Sequence, residues 1–243
     1  MTDEAIRFEN VTVEAGGDEI LRGVSGSVGR GRVAAIIGPS GAGKSSLLSL
    51  CNMLRSPSSG KVYVLGREVR EWDVRSLRRQ VGMVFQAATI FPGTVEQNLA
   101  YGLRLHGQVL SDAGSLLEDI GLSRDLLGRK AEDLSGGQKQ RVALGRVLAM
   151  EPEILLLDEV TSALDVHAKQ EVERTILHLH EKLRATLFWV THDLAQAKRV
   201  ADDIWFMAEG RLIEVGSTAS FFAAPSSDEA RAFLEQMTEE MEQ

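Results

Sequence analysis

The segment Gly38-Pro39-Ser40-Gly41-Ala42-Gly43-Lys44-Ser45 has the spacing G-x-x-x-x-G-K-[ST]. It follows the apolar run Val33–Ile37 and opens a helix-forming stretch, Ser45-Ser46-Leu47-Leu48. Glycines at these positions let successive backbone N–H groups turn toward phosphate oxygens. A helix N-terminus adds a positive partial charge. Gly38 to Ser46 is therefore the candidate ATP site, with Lys44 expected on the β- and γ-phosphates and Ser45 expected to ligate Mg²⁺. An ordinary glycine-rich turn is the alternative, and the strand–loop–helix context argues against it.

A second constellation is Ile154-Leu155-Leu156-Leu157-Asp158-Glu159, two acids at the end of an apolar run. Beside a phosphate-binding loop, Asp158 is expected to hold Mg²⁺ directly or through water. Glu159 is expected to take the proton of an attacking water, or to orient it. Alone this pair is a weak signal, because a simple strand end would explain it. A third element, Leu134-Ser135-Gly136-Gly137-Gln138-Lys139-Gln140-Arg141, places a serine cap and two glycines at the start of a helix. That makes a second candidate anion site.

Short β-type runs must position these groups. Candidate strands are Ile6–Phe8, Val33–Ile37, Lys61–Leu65, Val81–Phe85, Ile154–Leu157, Thr186–Val190, Ile204–Met207 and Leu212–Val215. Helices are expected at Lys44–Leu54, Ser111–Ile120, Gln138–Met150, His167–Leu183 and Leu194–Val200. The runs Ala34–Ile37 and Ile154–Leu157 are apolar throughout, which suits central parallel strands covered on both faces. The alternation reads as α/β. Between Ala87 and Met150 strand signals are missing, so that segment is expected to be a helical insertion.

The 243 residues carry a formal net charge of −8, which argues against a general nucleic-acid binder. No apolar run reaches the roughly 18 residues of a membrane span. Met1–Asn10 is polar and acidic, unlike a secretion signal. The single cysteine, Cys51, cannot form an internal disulfide, which fits a reducing cytoplasm.

Taken together, these motifs resemble the ATP-binding subunits of ABC transporters, over essentially Ile6–Phe222. The resemblance implies a P-loop NTPase (RecA-like) core at about 1–86 and 151–222, with a helical subdomain at about 87–150 and a small antiparallel β part. An acidic helix or tail would follow at 223–243, carrying Asp228, Glu229, Glu235, Glu239, Glu240 and Glu242 against Arg231. The resemblance also implies ATP hydrolysis that powers a separate integral-membrane permease, with this chain peripheral on the cytoplasmic face of the membrane. In that family Ser135, Gly136, Gly137 and Gln138 contact the γ-phosphate held by the other subunit, so a head-to-tail homodimer enclosing two ATPs is implied. Gln86 matches the family's metal- and γ-phosphate-sensing glutamine, Asp165 in Ser162-Ala163-Leu164-Asp165 the link across the dimer, and His192 the γ-phosphate-contacting histidine.

Two positions depart from the family pattern. An aromatic residue usually stacks on adenine about two dozen positions before the loop, and Ala15 stands there; Phe8 is another group that could hold the base. Proline commonly follows the acid pair, and Val160 stands there. Within the family, Phe91–Val95 and Asn98–Gly107 resemble phosphate-importer ATPases. Asp158–Asp165 and Leu187–Asp193 resemble Fet-type iron exporters and plant aluminium-tolerance ATPases. The cargo implied is a metal ion or phosphate. The alternative is a soluble ABC-type ATPase of translation or DNA repair, but such proteins usually carry tandem cassettes or a long coiled coil.

Overall fold

A computed structural model describes residues 3–242, with side chains described as far as residue 237. The side chains of Glu239, Glu240 and Glu242 lie outside the described residues. Strands β1 (Glu4–Ala15) and β2 (Asp18–Gly29) are followed by β3 (Val33–Ile37), helix α1 (Lys44–Cys51), β4 (Ser59–Val64), β5 (Arg67–Glu68) and α2 (Val74–Gln80). Next come β6 (Val81–Val84), α3 (Val95–Leu99), α4 (Tyr101–Leu105), α5 (Ala113–Asp119), α6 (Gly136–Leu148), β7 (Ile154–Asp158) and α7 (Val166–Leu183). Last are β8 (Thr186–Val190), α8 (Leu194–Val200), β9 (Asp203–Ala208), β10 (Arg211–Ser217), α9 (Thr218–Ala223) and α10 (Asp228–Glu242). The chain divides into two compact units, Met1–Arg78 with Thr186–Gln243, and Arg79–Ala185.

The first unit holds an antiparallel sheet in the order β2-β1-β4-β5 and a second set of strands in the order β10-β9-β3-β8. β3 runs parallel to both β8 and β9, with Ala35 opposite Trp189 on one side and Ile204 on the other. All five β3 residues are buried, which is why that run carries no polar alternation. One face of these strands packs on the antiparallel sheet through Phe8, whose ring centroid lies 6.2 Å from Phe188 and 5.9 Å from Trp205. The opposite face buries Ala35, Ile37, Ile204 and Phe206 against Ala197, Phe221 and Ala230 of α8, α9 and α10. Phe233 and Leu234 extend that contact, so α10 is docked by an apolar stripe despite its acidic composition.

Several boundaries differ from the sequence expectations for local reasons. β2 was not expected at all. Its pairing with β1 shifts register at several points, so Leu21, Val24 and Val28 are buried at irregular spacing. The strand expected at Ile6–Phe8 lies in the first half of the longer β1. The helix expected to reach Leu54 stops at Cys51, because Met53 takes a positive φ of 54°.

In the second unit β6 and β7 are parallel, with Val84 opposite Leu157. Between them in sequence, the described residues form helical segments and turns and one isolated bridge, Thr94 to Lys130. Arg141 on α6 ties the helices together: it donates to the Gly121 carbonyl at 2.7 Å and to Glu171 of α7 at 3.0 Å. Burial lowers its pKa while Glu171 opposes that shift.

Candidate functional site

The phosphate loop lies in the first unit, between the C-terminal end of β3 and α1. Gly38, Gly41 and Gly43 have φ values of 141°, 79° and 90°, a backbone path that L side chains rarely adopt. Two of the three are also tightly enclosed. A Cβ at Gly38 would lie 1.9 Å from the Met207 carbonyl oxygen of β9. A Cβ at Gly43 would lie 2.6 Å from Leu21 Cδ2 and 3.0 Å from the Ile20 carbonyl oxygen of β2. The loop is therefore held by both strand sets of its unit.

Lys44 opens α1 and is only 7% exposed. Its Nζ donates to the Gly38 and Pro39 carbonyl oxygens, each at 2.8 Å. The ammonium is thus tied across the loop it follows. Pro39, Ser40, Gly41 and Ser45 are exposed, Ala42 is buried, and Ser46 is half-buried. Leu47, Leu48, Leu50 and Cys51 anchor the helix in the interior. Burial pushes the Cys51 thiol up, so it serves as a small apolar filler.

His192 belongs to the same unit. It follows β8, which pairs directly with β3, so loop and histidine leave the C-terminal ends of neighbouring parallel strands. The turn that carries it is braced by polar bonds. The Thr191 N–H donates to the Ile36 carbonyl at 3.2 Å, and the Thr191 hydroxyl donates to Gln196 at 2.8 Å. Asp193 caps α8 by accepting from the Gln196 N–H at 2.8 Å. His192 itself is exposed.

The second unit gathers Gln86, Asp158 and Glu159. Gln86 follows β6 and the acid pair ends β7, again on neighbouring parallel strands. Glu159 has a φ of 49°, in the left-handed region. The Gln86 amide donates to the Ser162 hydroxyl at 3.0 Å, and that hydroxyl donates to the Glu159 carbonyl at 2.9 Å. Val160, where proline is common in the resemblance, is 2% exposed and fills the interior.

Ser135 caps α6 in a reciprocal box, accepting from the Gln138 N–H at 3.3 Å while Gln138 Oε1 accepts from the Ser135 N–H at 3.0 Å. Ser135 and Gly136 face solvent. Gly137 is buried, and a Cβ there would meet Ala168 of α7 at 2.9 Å. Asp165 caps α7 through the Ala168 N–H at 2.9 Å. Sequence reasoning gave no separate role to Gln140, which is 2% exposed and donates to the Phe85 carbonyl at 3.0 Å, just before Gln86. A groove of about 420 Å³ between Leu103, Val109, Leu116, Leu148 and Leu179 holds none of the expected site residues.

Of the two groups considered for adenine, Phe8 is excluded as a platform: it is 2% exposed and locked against Phe188 and Trp205. Ala15 is exposed at the end of β1, opposite Asp18. Of the candidate Mg²⁺ donors, Ser45 in the first unit supplies a hydroxyl, and Gln86 and Asp158 in the second supply an amide and a carboxylate oxygen. Among the described residues no group of three or more His, Cys, Asp or Glu side chains could hold a metal. A sparse set of hard oxygen donors fits Mg²⁺, which usually keeps waters and binds substrate phosphates rather than an all-protein cage.

A strand, a glycine loop with its lysine and a following helix, together with an acid pair ending a second parallel strand, define a P-loop nucleotide hydrolase of mixed α/β fold. The family model described as "ABC transporter" matches residues 21–162. A putative ABC transporter ATP-binding protein, YjkB of Bacillus subtilis, is 49% identical over 89% of this chain and 86% of its own length. Phosphate import ATP-binding protein PstB 1 of Vibrio parahaemolyticus is 39% identical over 96% of this chain and 92% of its own. Among solved structures, cbiO1 of Clostridium perfringens, part of the ABC transporter complex cbiONQ, has a TM-score of 0.83 at 29% identity. It covers 99% of this chain and 100% of its own. The ATP-binding cassette MJ0796, in a dimeric post-hydrolysis state with ADP and Pi, has a TM-score of 0.76 at 28% identity. It covers 88% of this chain and 98% of its own. The chain belongs to the ABC transporter ATP-binding family and is an ATPase subunit of that class.

Proposed function

We propose that this subunit binds ATP with Mg²⁺ and hydrolyses it in a head-to-tail homodimer, to power a separate integral-membrane permease at the cytoplasmic face of the membrane. The observation that supports the reading best is the Gly38–Ser46 loop. Three left-handed glycines and a buried, loop-spanning Lys44 form a phosphate cradle that tolerates few other residues. Among the described residues no helix is long and apolar enough to cross a membrane. The cargo, a metal ion or phosphate, would be contacted by that permease.

In this reading the loop N–H groups and the N-terminus of α1 bind the phosphates, and Lys44 neutralises the β- and γ-oxygens. Ser45, Gln86 and Asp158 would hold Mg²⁺, which would supply further charge neutralisation when bound. Glu159 accepts the proton of the attacking water, and His192 contacts the γ-phosphate. Ser135, Gly136, Gly137 and Gln138 serve the nucleotide of the partner copy, with Asp165 linking the two sites.

Glu159→Gln tests this. The amide keeps the side chain's shape but cannot accept a proton, so ATP should still bind while turnover falls about 10²- to 10⁴-fold. Hydrolysis lost without binding traps the closed state, so light scattering should show an ATP-dependent monomer-to-dimer shift that EDTA reverses. Wild-type turnover in Glu159→Gln would refute the assignment of the base.

A further inference from the structure

Glu159 is held in a backbone conformation that a non-glycine residue adopts rarely, with φ of 49°. Such conformations persist only where the surroundings over-determine them, and here the restraint is visible. The Glu159 carbonyl oxygen accepts twice from Ser162: from its N–H at 3.0 Å and from its hydroxyl at 2.9 Å. A hydroxyl has one proton to give. Because that proton goes to Glu159, the oxygen of Ser162 is left to accept, and it accepts the Gln86 amide N–H at 3.0 Å. The direction of both bonds is thereby set: Gln86 to Ser162 to Glu159.

The residues on either side of this chain are constrained from elsewhere. Gln140, buried in α6, holds the Phe85 carbonyl at 3.0 Å, so the main chain entering Gln86 is fixed independently of its side chain. Val160 and Thr161 are buried at 2% and 4% exposure, so the turn after Glu159 cannot swing freely. Gln86 is exposed and is the movable member. The hydroxyl of Ser162 joins the Gln86 side chain to the Glu159 backbone.

We propose that Ser162 is a positioning residue for ATP hydrolysis, its hydroxyl aiming Glu159 and coupling that aim to the placement of the Gln86 side chain. The proposal rests on the reading of Glu159 as the base. Ser162 need not touch ATP. It acts through the backbone turn that carries the carboxylate, so its effect should fall on turnover rather than on nucleotide affinity.

The test is steady-state ATP hydrolysis by the purified full chain in Mg²⁺. Ser162→Ala should lower kcat about 10-fold, the order expected for losing one or two hydrogen bonds that hold a reacting group. KM for ATP should stay within about twofold of wild type. Ser162→Thr keeps the hydroxyl and should recover kcat to within about threefold of wild type. In a Gln86→Ala background, adding Ser162→Ala should cost clearly less than it does alone, because the two residues act through one chain of bonds. Unchanged kcat in Ser162→Ala, a loss confined to KM, or strict additivity with Gln86→Ala would each overturn the proposal. Glu159→Gln measured in parallel separates the two levels: if it is inactive while Ser162→Ala is normal, only the Ser162 role fails. If Glu159→Gln turns over normally, the assignment of the base fails beneath it.

Discussion

Gly38 faces the main chain of Met207 so closely that a methyl group on it would lie 1.9 Å from the Met207 carbonyl oxygen. The glycine also has a φ of 141°. Gly38→Ala must therefore push β9 away from β3 or distort the loop. A loss of roughly 1–3 kcal/mol in unfolding free energy is expected from the overpacking, together with weakened nucleotide binding. Chemical denaturation and ATP titration would measure both. A variant as stable and as tight as wild type would mean the loop relaxes at no cost.

Lys44→Ala removes the ammonium that spans the loop at Gly38 and Pro39. Hydrolysis should become undetectable and ATP binding weaker, because nothing else on the loop carries positive charge to the β- and γ-phosphates. Phosphate release assays and fluorescent-nucleotide titration would check it. Near-normal turnover would contradict the phosphate-loop assignment.

Ser135→Arg should leave nucleotide binding by one chain almost intact while blocking ATP-dependent dimerisation, since Ser135 is expected to serve the partner's nucleotide. The structure adds a second effect. Ser135 caps α6, so the variant should also lose about 1 kcal/mol of stability. Size-exclusion chromatography with ATP, in the Glu159→Gln background, reads the first effect, and thermal unfolding reads the second. Normal dimerisation would count against the head-to-tail arrangement.

Glu214 on β10 accepts from the Ser226 and Ser227 N–H groups at 2.9 and 3.0 Å, and from the Ser227 hydroxyl at 2.8 Å. Burial pushes its pKa up, but the bonds from Ser226 and Ser227 outweigh burial, and the net shift is downward. A depressed folded pKa means the ionised form stabilises the fold. That contribution is present above the ordinary carboxylate pKa and is lost as pH falls through the lower folded value. Because Ser227 caps the turn entering α10, acid should loosen α10 first, and Glu214→Gln should abolish that part of the pH dependence. Hydrogen exchange of residues 228–237 across the acid range would follow it.

The phosphate-loop and acid-pair motifs stood out in the sequence because glycines, a lysine and paired acids at fixed spacing leave few alternatives, and the largely apolar strands β3, β7 and β8 announced themselves by length and composition. The antiparallel sheet was not legible. β2 mixes Arg22, Gly23, Ser25, Gly26 and Ser27 with its three buried residues, and the shifts in its register erase the period of two. The reach of Gln86 to Ser162 was equally hidden, since it joins side chains 76 positions apart. Phe8 was misread as a possible base platform because nothing local to it reveals that Phe188 and Trp205 close over it.

The two units differ in how the chain is laid out: Arg79–Ala185 is one continuous stretch, whereas the other unit is completed by residues beyond 185. During synthesis, β3 emerges long before β8 and β9, the strands that flank it on both sides. At typical elongation rates of about 5–20 residues per second, that delay lasts roughly 7–30 seconds. Over that interval the fully apolar Val33–Ile37 has both hydrogen-bonding edges open, a situation that invites pairing with other nascent chains. The contiguous unit can condense meanwhile. The nucleotide loop, built on β3, therefore cannot acquire its form until β8 and β9 have emerged from the ribosome.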